Sequence, residues 1–120
     1  MNAKAFVDTN VLVYAHDSAA GENHDQAKSL VTEIWANKNG VISTQVLQEF
    51  YVTIRKKVFQ PGDGKTARRW LTHYLNWQVI ANDSKAILRA IEIEQRYQLS
   101  FWDSMIVQAA NEAHVTLLYS

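Results

Sequence analysis

Short apolar runs alternate with longer segments of helical periodicity along the 120-residue chain. Each run is short enough for a buried strand, and a helical pattern separates it from the next. The predicted strands lie at residues 5–7, 41–42, 79–80 and 116–118. Because parallel strands are usually joined by a helix, this alternation predicts an α/β fold with a parallel sheet covered by helices on both faces.

The segments between these runs carry apolar side chains at helical spacing, often after a residue suited to capping. The predicted helices span residues 25–37, 43 or 44 to about 59, 66–75, 83 or 84 to 97, and 101–114, and the only proline, Pro61, lies in a predicted turn. The length is typical of one domain, and no linker or repeat interrupts the chain. We therefore expect residues 1–120 to form a single domain.

The composition excludes several classes of protein. The chain has no cysteine, which rules out thiol nucleophiles, disulfides and thiolate zinc sites. No apolar run approaches the roughly 18 residues of a membrane span, and no segment resembles a secretory signal. We expect a cytoplasmic protein with no membrane partner.

The charges are balanced overall but unevenly distributed. Twelve basic and twelve acidic side chains cancel, which disfavours a protein that binds nucleic acid through bulk charge alone. The cations are concentrated between Arg55 and Arg69, where Asp63 is the only acidic residue. This segment could contact an RNA backbone, or it could be a solvated helix end and loop.

An acidic residue, Asp8, directly follows the first predicted strand. Functional sites in α/β proteins form beyond the carboxyl ends of parallel strands, which favours a functional role for this side chain. Asp8, Thr9 and Asn10 are also favourable helix N-caps, so a capping role remains open.

A second acidic residue, Asp103, lies near the start of the last predicted helix. It shares a helical face with Ile106 and Ala110, so we expect its carboxylate to be largely desolvated unless something binds it. Ser100 and Asp103 also have the spacing of a capping box. The two interpretations are compatible, because the start of a helix can face a cleft.

Glu49 is predicted on the polar side of its helix, as is typical of a solvated glutamate. No cationic residue lies three or four positions away, so no local ion pair is expected. If carboxylates from separate elements converge, a hard divalent cation relieves their repulsion, and Mg²⁺ and Mn²⁺ prefer oxygen ligands. Such a cation activates water and neutralises a phosphate, so that no nucleophilic side chain is needed.

The tryptophans and histidines have simpler explanations. All four tryptophans are predicted to pack in the core, although Trp70 and Trp77 could also stack on bases. A loose cluster of metal-ligating residue types is more simply read as a loop and a helix start; it comprises His16, Asp17, His24 and Asp25.

Three blocks of sequence contain the acidic residues discussed above. They read FVDTNVL at residues 6–12, TQVLQEFY at residues 44–51 and SFWDSMIVQAA at residues 100–110. In order, spacing and predicted secondary structure they resemble the PIN-domain ribonucleases, especially the short VapC-type toxins of bacterial toxin–antitoxin pairs. The resemblance extends over essentially the whole chain.

The resemblance implies a three-layer α/β/α sandwich and metal-dependent endonucleolytic cleavage of RNA. It implies that Asp8, Glu49 and Asp103 hold Mg²⁺ or Mn²⁺, and that the hydroxyl of Thr9 orients a ligand. It also implies an RNA substrate, a cognate antitoxin protein and a homodimer. The family usually has a fourth acidic residue after the strand predicted at residues 116–118, then a helix and a fifth, edge strand. Ser120 ends the chain before any of these, so we expect a sheet of four strands.

Two other functions remain open. Without the fourth acidic residue, the protein could be a non-catalytic PIN-like module that binds RNA or a protein partner. A doubly wound domain of the response-regulator type would also use acidic residues and Mg²⁺. It needs a phosphoacceptor aspartate after the third strand, where this chain offers only Asp83.

Overall fold

The computed structural model describes residues 3–57 and 64–120, which form a four-stranded sheet and six α-helices. The strands are β1 (Ala5–Val7), β2 (Gly40–Ser43), β3 (Gln78–Ile80) and β4 (Leu117–Tyr119). The helices are α1 (Thr9–His16), α2 (Glu22–Asn37), α3 (Thr44–Lys57), α4 (Gly64–Tyr74), α5 (Ser84–Tyr97) and α6 (Phe101–Glu112).

The sheet is parallel throughout, in the order β3-β2-β1-β4. This confirms the predicted α/β fold with a central parallel sheet of four strands. Every residue of the inner strands β1 and β2 is buried, whereas β3 and β4 are partly exposed. Burial on both faces explains why the inner strands are continuous apolar runs rather than alternating patterns.

The strand order determines which face each helix covers. The chain moves in one direction from β1 to β2 to β3, then returns past β1 to β4. Right-handed crossovers therefore place α1 to α4 on one face and α5 and α6 on the other. The packing agrees, because α1 contacts α2 and α3, α3 contacts α4, and α5 contacts α6. The direction reverses between β1 and β4, which is where a parallel sheet opens a crevice for ligands.

The described boundaries lie within two residues of the predicted ones, except at the start of α2. Helix α2 begins at Glu22 rather than residue 25, after Gly21 with a positive φ of 62°. Its first residues are polar and expose no apolar periodicity, so the pattern concealed them. The predicted helical residues 58–59 and the Pro61 turn lie outside the described residues. Among the described helices, none combines the length and apolarity needed to cross a bilayer.

Aromatic rings fill the space between α1, α2, α3 and α4. The ring of His16 lies 4.1 Å from that of Trp70, and His16 Nε2 is hydrogen-bonded to the Tyr74 hydroxyl at 2.7 Å. Burial lowers the pKa of His16 from its ordinary 6.5 to about 4, and repulsion from the nearby His24 contributes a smaller part. Burial also raises the pKa of the Tyr74 hydroxyl above its usual range. The folded protein thus holds His16 neutral near neutral pH.

Stability should fall on acidification because of His16. Between pH 6.5 and about 4, the unfolded chain protonates this histidine while the folded chain does not. The contribution of His16 to the free energy of unfolding is therefore complete above pH 6.5, and it is lost progressively as the pH falls toward 4. We expect a loss of roughly 2 kcal/mol of unfolding free energy between about pH 7.5 and about pH 5 from this group. Urea unfolding at both pH values measures it.

His16→Gln should remove this part of the pH dependence, because glutamine does not titrate. His114→Gln, at an exposed histidine, is the matched control and should keep the wild-type pH dependence. A His16→Gln protein that loses as much stability as the wild type between the two pH values would contradict the assignment.

Candidate functional site: an acidic cavity at the carboxyl end of the sheet

The first acidic residue, Asp8, lies where β1 ends beside the reversal of chain direction. Its backbone N–H donates to the Tyr119 carbonyl oxygen at 2.8 Å, which ties it to β4. Its side chain accepts a hydrogen bond from the Thr9 N–H, so that it caps α1. Asp8 is therefore both a helix cap and a residue at the crevice. The cap uses one carboxylate oxygen, Oδ1, in this contact.

Glu49 reaches the same crevice from α3. The Thr9 hydroxyl, in a residue only 8% exposed, donates to Glu49 Oε1 at 2.8 Å. The glutamate itself is exposed, as its polar-face pattern predicted. The hydrogen bond joins the start of α1 to the middle of α3 and so fixes the direction of the Glu49 carboxylate.

A buried amide, Gln45, supports both sides of the crevice. Its Nε2 lies 3.5 Å from Glu49 Oε1 and 3.4 Å from the Trp102 carbonyl oxygen, which it approaches as a donor. Both neighbours are acceptors, so the amide orientation is determined by its contacts. The side chain is 5% exposed, and its Oε1 has no hydrogen-bond partner among the described residues. An unpaired buried acceptor is costly unless a ligand or water donates to it.

Asp103 and Trp102 bring the first turn of α6 to the crevice. Ser100 caps α6 by accepting from the Asp103 N–H at 3.1 Å, as the capping-box spacing predicted. Asp103 is exposed, so the expectation that it would be largely desolvated is wrong. Trp102 is 62% exposed, so its predicted place in the core is also wrong. Local pattern could not show that the first turn of α6 lies at the crevice instead of being covered.

These residues line one cavity of about 490 Å³. Its polar lining has three carboxylates, three amides and two hydroxyls, and its apolar lining has three side chains. The full lining is Asp8, Thr9, Asn10, Gln45, Gln48, Glu49, Val52, Thr53, Trp102, Asp103 and Ile106. No described lysine, arginine or histidine belongs to it, so its net charge is negative. All four sequence-predicted site residues lie in this cavity.

The donor chemistry of the cavity suits a hard divalent cation. Carboxylate, amide and hydroxyl oxygens are the ligands that Mg²⁺ and Mn²⁺ select. The carboxylates are not gathered tightly, however. Within residues 3–57 and 64–120, no three histidine or acidic side chains are close enough together to form a metal-binding group. The residue types thus fit a cation whose remaining ligands are oxygens of water or substrate.

The other candidate clusters have different roles. His16 belongs to the aromatic packing, and the ring of His24 bonds the Tyr14 carbonyl oxygen. Asp17 caps a short 3-10 turn, and Asp83 caps α5. Three cations of the basic segment line an open cavity of about 580 Å³, whose lining is Lys65, Arg68, Arg69, Thr72, His73 and Asn76. None of these cations lines the acidic cavity.

Among the lining residues that sequence reasoning did not assign to the site, Gln45 and Trp102 are the two joined by a contact across it. Gln45 precedes Glu49 by one helical turn, and that spacing is the only signal that could have pointed to it. Trp102 adjoins Asp103 in sequence, but its apolar character suggested the core. Tertiary placement, which local pattern does not contain, decides the role of each.

The fold and cavity define a doubly wound α/β protein with an acidic site at the carboxyl end of its parallel sheet. The chain belongs to the PIN domain family, whose model matches residues 5–120. This confirms the family resemblance seen in the three sequence blocks. No curated protein sequence matches the chain.

Two solved structures share the fold. One is VapC20 of Mycobacterium tuberculosis, a toxin that cleaves the sarcin-ricin loop. It has a TM-score of 0.75 and 20% identity, with 98% of this chain and 88% of that chain covered. The other is a toxin–antitoxin complex from Klebsiella pneumoniae. It has a TM-score of 0.70 and 23% identity, with 95% of this chain and 83% of that chain covered. At these identities the likeness concerns the fold.

Proposed function

We propose that the protein is a divalent-cation-dependent endoribonuclease and the toxin of a toxin–antitoxin pair. The observation that carries the proposal is the single cavity lined by Asp8, Glu49 and Asp103 and by no described cationic side chain. A phosphodiester is anionic, so it approaches three carboxylates favourably only with a cation between them. Membership of the PIN domain family and the fold likeness to a toxin that cleaves the sarcin-ricin loop support RNA as the substrate.

The residues of the cavity would have two kinds of role, to bind the cation and to orient its ligands. Asp8, Glu49 and Asp103 would hold Mg²⁺ or Mn²⁺, which when bound supplies an activated water and neutralises phosphate charge. The Thr9 hydroxyl holds the Glu49 carboxylate in one direction, and Gln45 approaches the same oxygen. Fixed ligands of this kind lower the cost of reorganisation during the reaction.

The proposed protein partners are a cognate antitoxin and a second copy of the chain. The fold likeness to a toxin–antitoxin complex supports the first of these. The proposed location is the cytoplasm, where an RNA-cleaving toxin meets its substrate.

Metal removal tests the proposal directly. Labelled single-stranded RNA incubated with the chain should be cut in Mg²⁺ or Mn²⁺, remain intact in EDTA, and be cut again when Mn²⁺ is added in excess. Cleavage that continues unchanged in EDTA would contradict cation dependence and would indicate a contaminating nuclease.

A non-catalytic PIN-like module is the second candidate. It is favoured by the absence, within the described residues, of a three-acid group close enough to hold a metal. It predicts no cleavage in any cation, and no detectable binding of Mn²⁺ at millimolar concentration by calorimetry. Mn²⁺ binding that accompanies cleavage would exclude it.

A further inference from the structure

A large aromatic side chain, Trp102, stands exposed at the acidic cavity. It is 62% exposed, whereas Trp77 is 7% exposed and the rings of Trp35 and Trp70 are partly buried. It lines the cavity directly beside Asp103. Exposed tryptophan surface forgoes hydrophobic stabilisation, so a position of this kind calls for an explanation in binding.

The main chain and ring of Trp102 are held from two sides. The backbone carbonyl oxygen receives Gln45 Nε2 at 3.4 Å, and the ring contacts the Phe101 ring in an edge-on arrangement at 5.0 Å. Val52 and Ile106 are the other apolar residues that line the cavity. The cavity therefore offers apolar side chains as well as carboxylates, and one of the apolar side chains is an exposed indole.

We propose that Trp102 is the stacking surface for an unpaired base next to the phosphate that the site acts on. This rests on the proposed function, since the carboxylates identify where the phosphate lies. Trp102 adjoins Asp103, so a base attached to a phosphate at the carboxylates can reach the Trp102 ring. Stacking on an aromatic ring suits any base, because each base has a π-face. A paired base already stacks on its neighbours and is not free to do so.

Kinetics on single-stranded RNA with Mn²⁺ give the first test. Trp102→Ala should raise KM by roughly 5- to 150-fold, the range expected for one base–aromatic stack, with kcat changed much less. Trp102→Phe should recover most of the loss because it restores an aromatic face, whereas Trp102→Leu should not. Tyr97→Ala is the matched control, because Tyr97 is 63% exposed and does not line the cavity.

Intrinsic fluorescence gives a test that needs no cleavage. Adding a short single-stranded RNA with Ca²⁺ in place of Mn²⁺ should quench the exposed tryptophan and protect it from acrylamide, because a hard cation still lies between the phosphate and the carboxylates. Trp102→Phe should abolish that signal. A duplex of the same sequence should give neither change. This assay remains informative if no RNA is cut, so a failed nuclease proposal is distinguishable from a failed stacking proposal.

Three results would overturn the inference. They are equal RNA affinity for wild type and Trp102→Leu, a failure of single-stranded RNA to bind at all, and acrylamide protection that rises with protein concentration in the absence of RNA. The last result would mean that a second copy of the chain covers Trp102.

Discussion

Asp8→Asn should reduce RNA cleavage by at least ~100-fold while leaving the fold intact. Groups that merely orient a metal ligand are worth about 10–100-fold each, so removing a carboxylate ligand should cost no less. Asparagine is as good an N-cap as aspartate, so the hydrogen bond that caps α1 is retained. The rate of cleavage of labelled RNA at saturating Mn²⁺ and the urea midpoint of the same preparation together measure the effect.

Asp83→Asn is the control for Asp8→Asn, because Asp83 caps a helix but is not proposed to bind a metal. Asp83 caps α5 by accepting from the Ala86 N–H at 2.8 Å, and it lies outside the cavity lining. We expect this variant to cleave at the wild-type rate. Wild-type cleavage by Asp8→Asn would refute the metal assignment of Asp8, and equal losses in both variants would show that the effect is not specific to the acidic cavity.

Gly40→Ala should destabilise the protein by about 3 kcal/mol. A Cβ at this position would lie 2.7 Å from Cε2 and Cε3 of Trp77, well inside van der Waals contact. The indole has little room to move, because it packs against Trp35 at 5.1 Å and Tyr74 at 5.0 Å between ring centres. Gly40 also pairs with Ala5 in the buried part of the sheet. Equilibrium unfolding in urea measures the loss.

The same substitution at another glycine provides the control. At Gly64, the first residue of α4, a Cβ would meet its nearest neighbour, Arg55, at an ordinary 3.5 Å. Gly64→Ala should be neutral or stabilising by up to ~1 kcal/mol, because alanine loses less backbone entropy on folding. If Gly40→Ala matched Gly64→Ala in stability, the close packing of Trp77 over β2 would be disproved.

Local pattern was sufficient to predict the layers of the fold. Buried parallel strands must be short apolar runs, and the helices between them must show apolar periodicity toward the sheet. The start of α2 was the exception, since its first turn has no apolar residue to reveal it. The strand order β3-β2-β1-β4 also could not be derived from pattern, because pairing joins residues far apart in the chain.

The candidate site was predictable in its acidic residues but not in its supporting contacts. Asp8 and Asp103 stood out because acids follow a strand or begin a helix, and Glu49 gained its role from the family resemblance. The hydrogen bond from Thr9 to Glu49 and the approach of Gln45 to Trp102 depend on how helices pack. Exposure of Trp102 likewise depends on the absence of a covering neighbour, which no local spacing encodes.

The acidic cavity can form during synthesis only after strand β4 has been made. Asp8 is fixed through the Tyr119 carbonyl oxygen, and β1 completes its pairing only with β4. Because the ribosome releases a chain from its N-terminus, Asp8 and Glu49 emerge long before Asp103 and Tyr119. A nascent chain would therefore carry an unfinished site until the residues up to Tyr119 have left the ribosome. For a protein proposed to cut RNA, that order delays the onset of activity until strand β4 has been made.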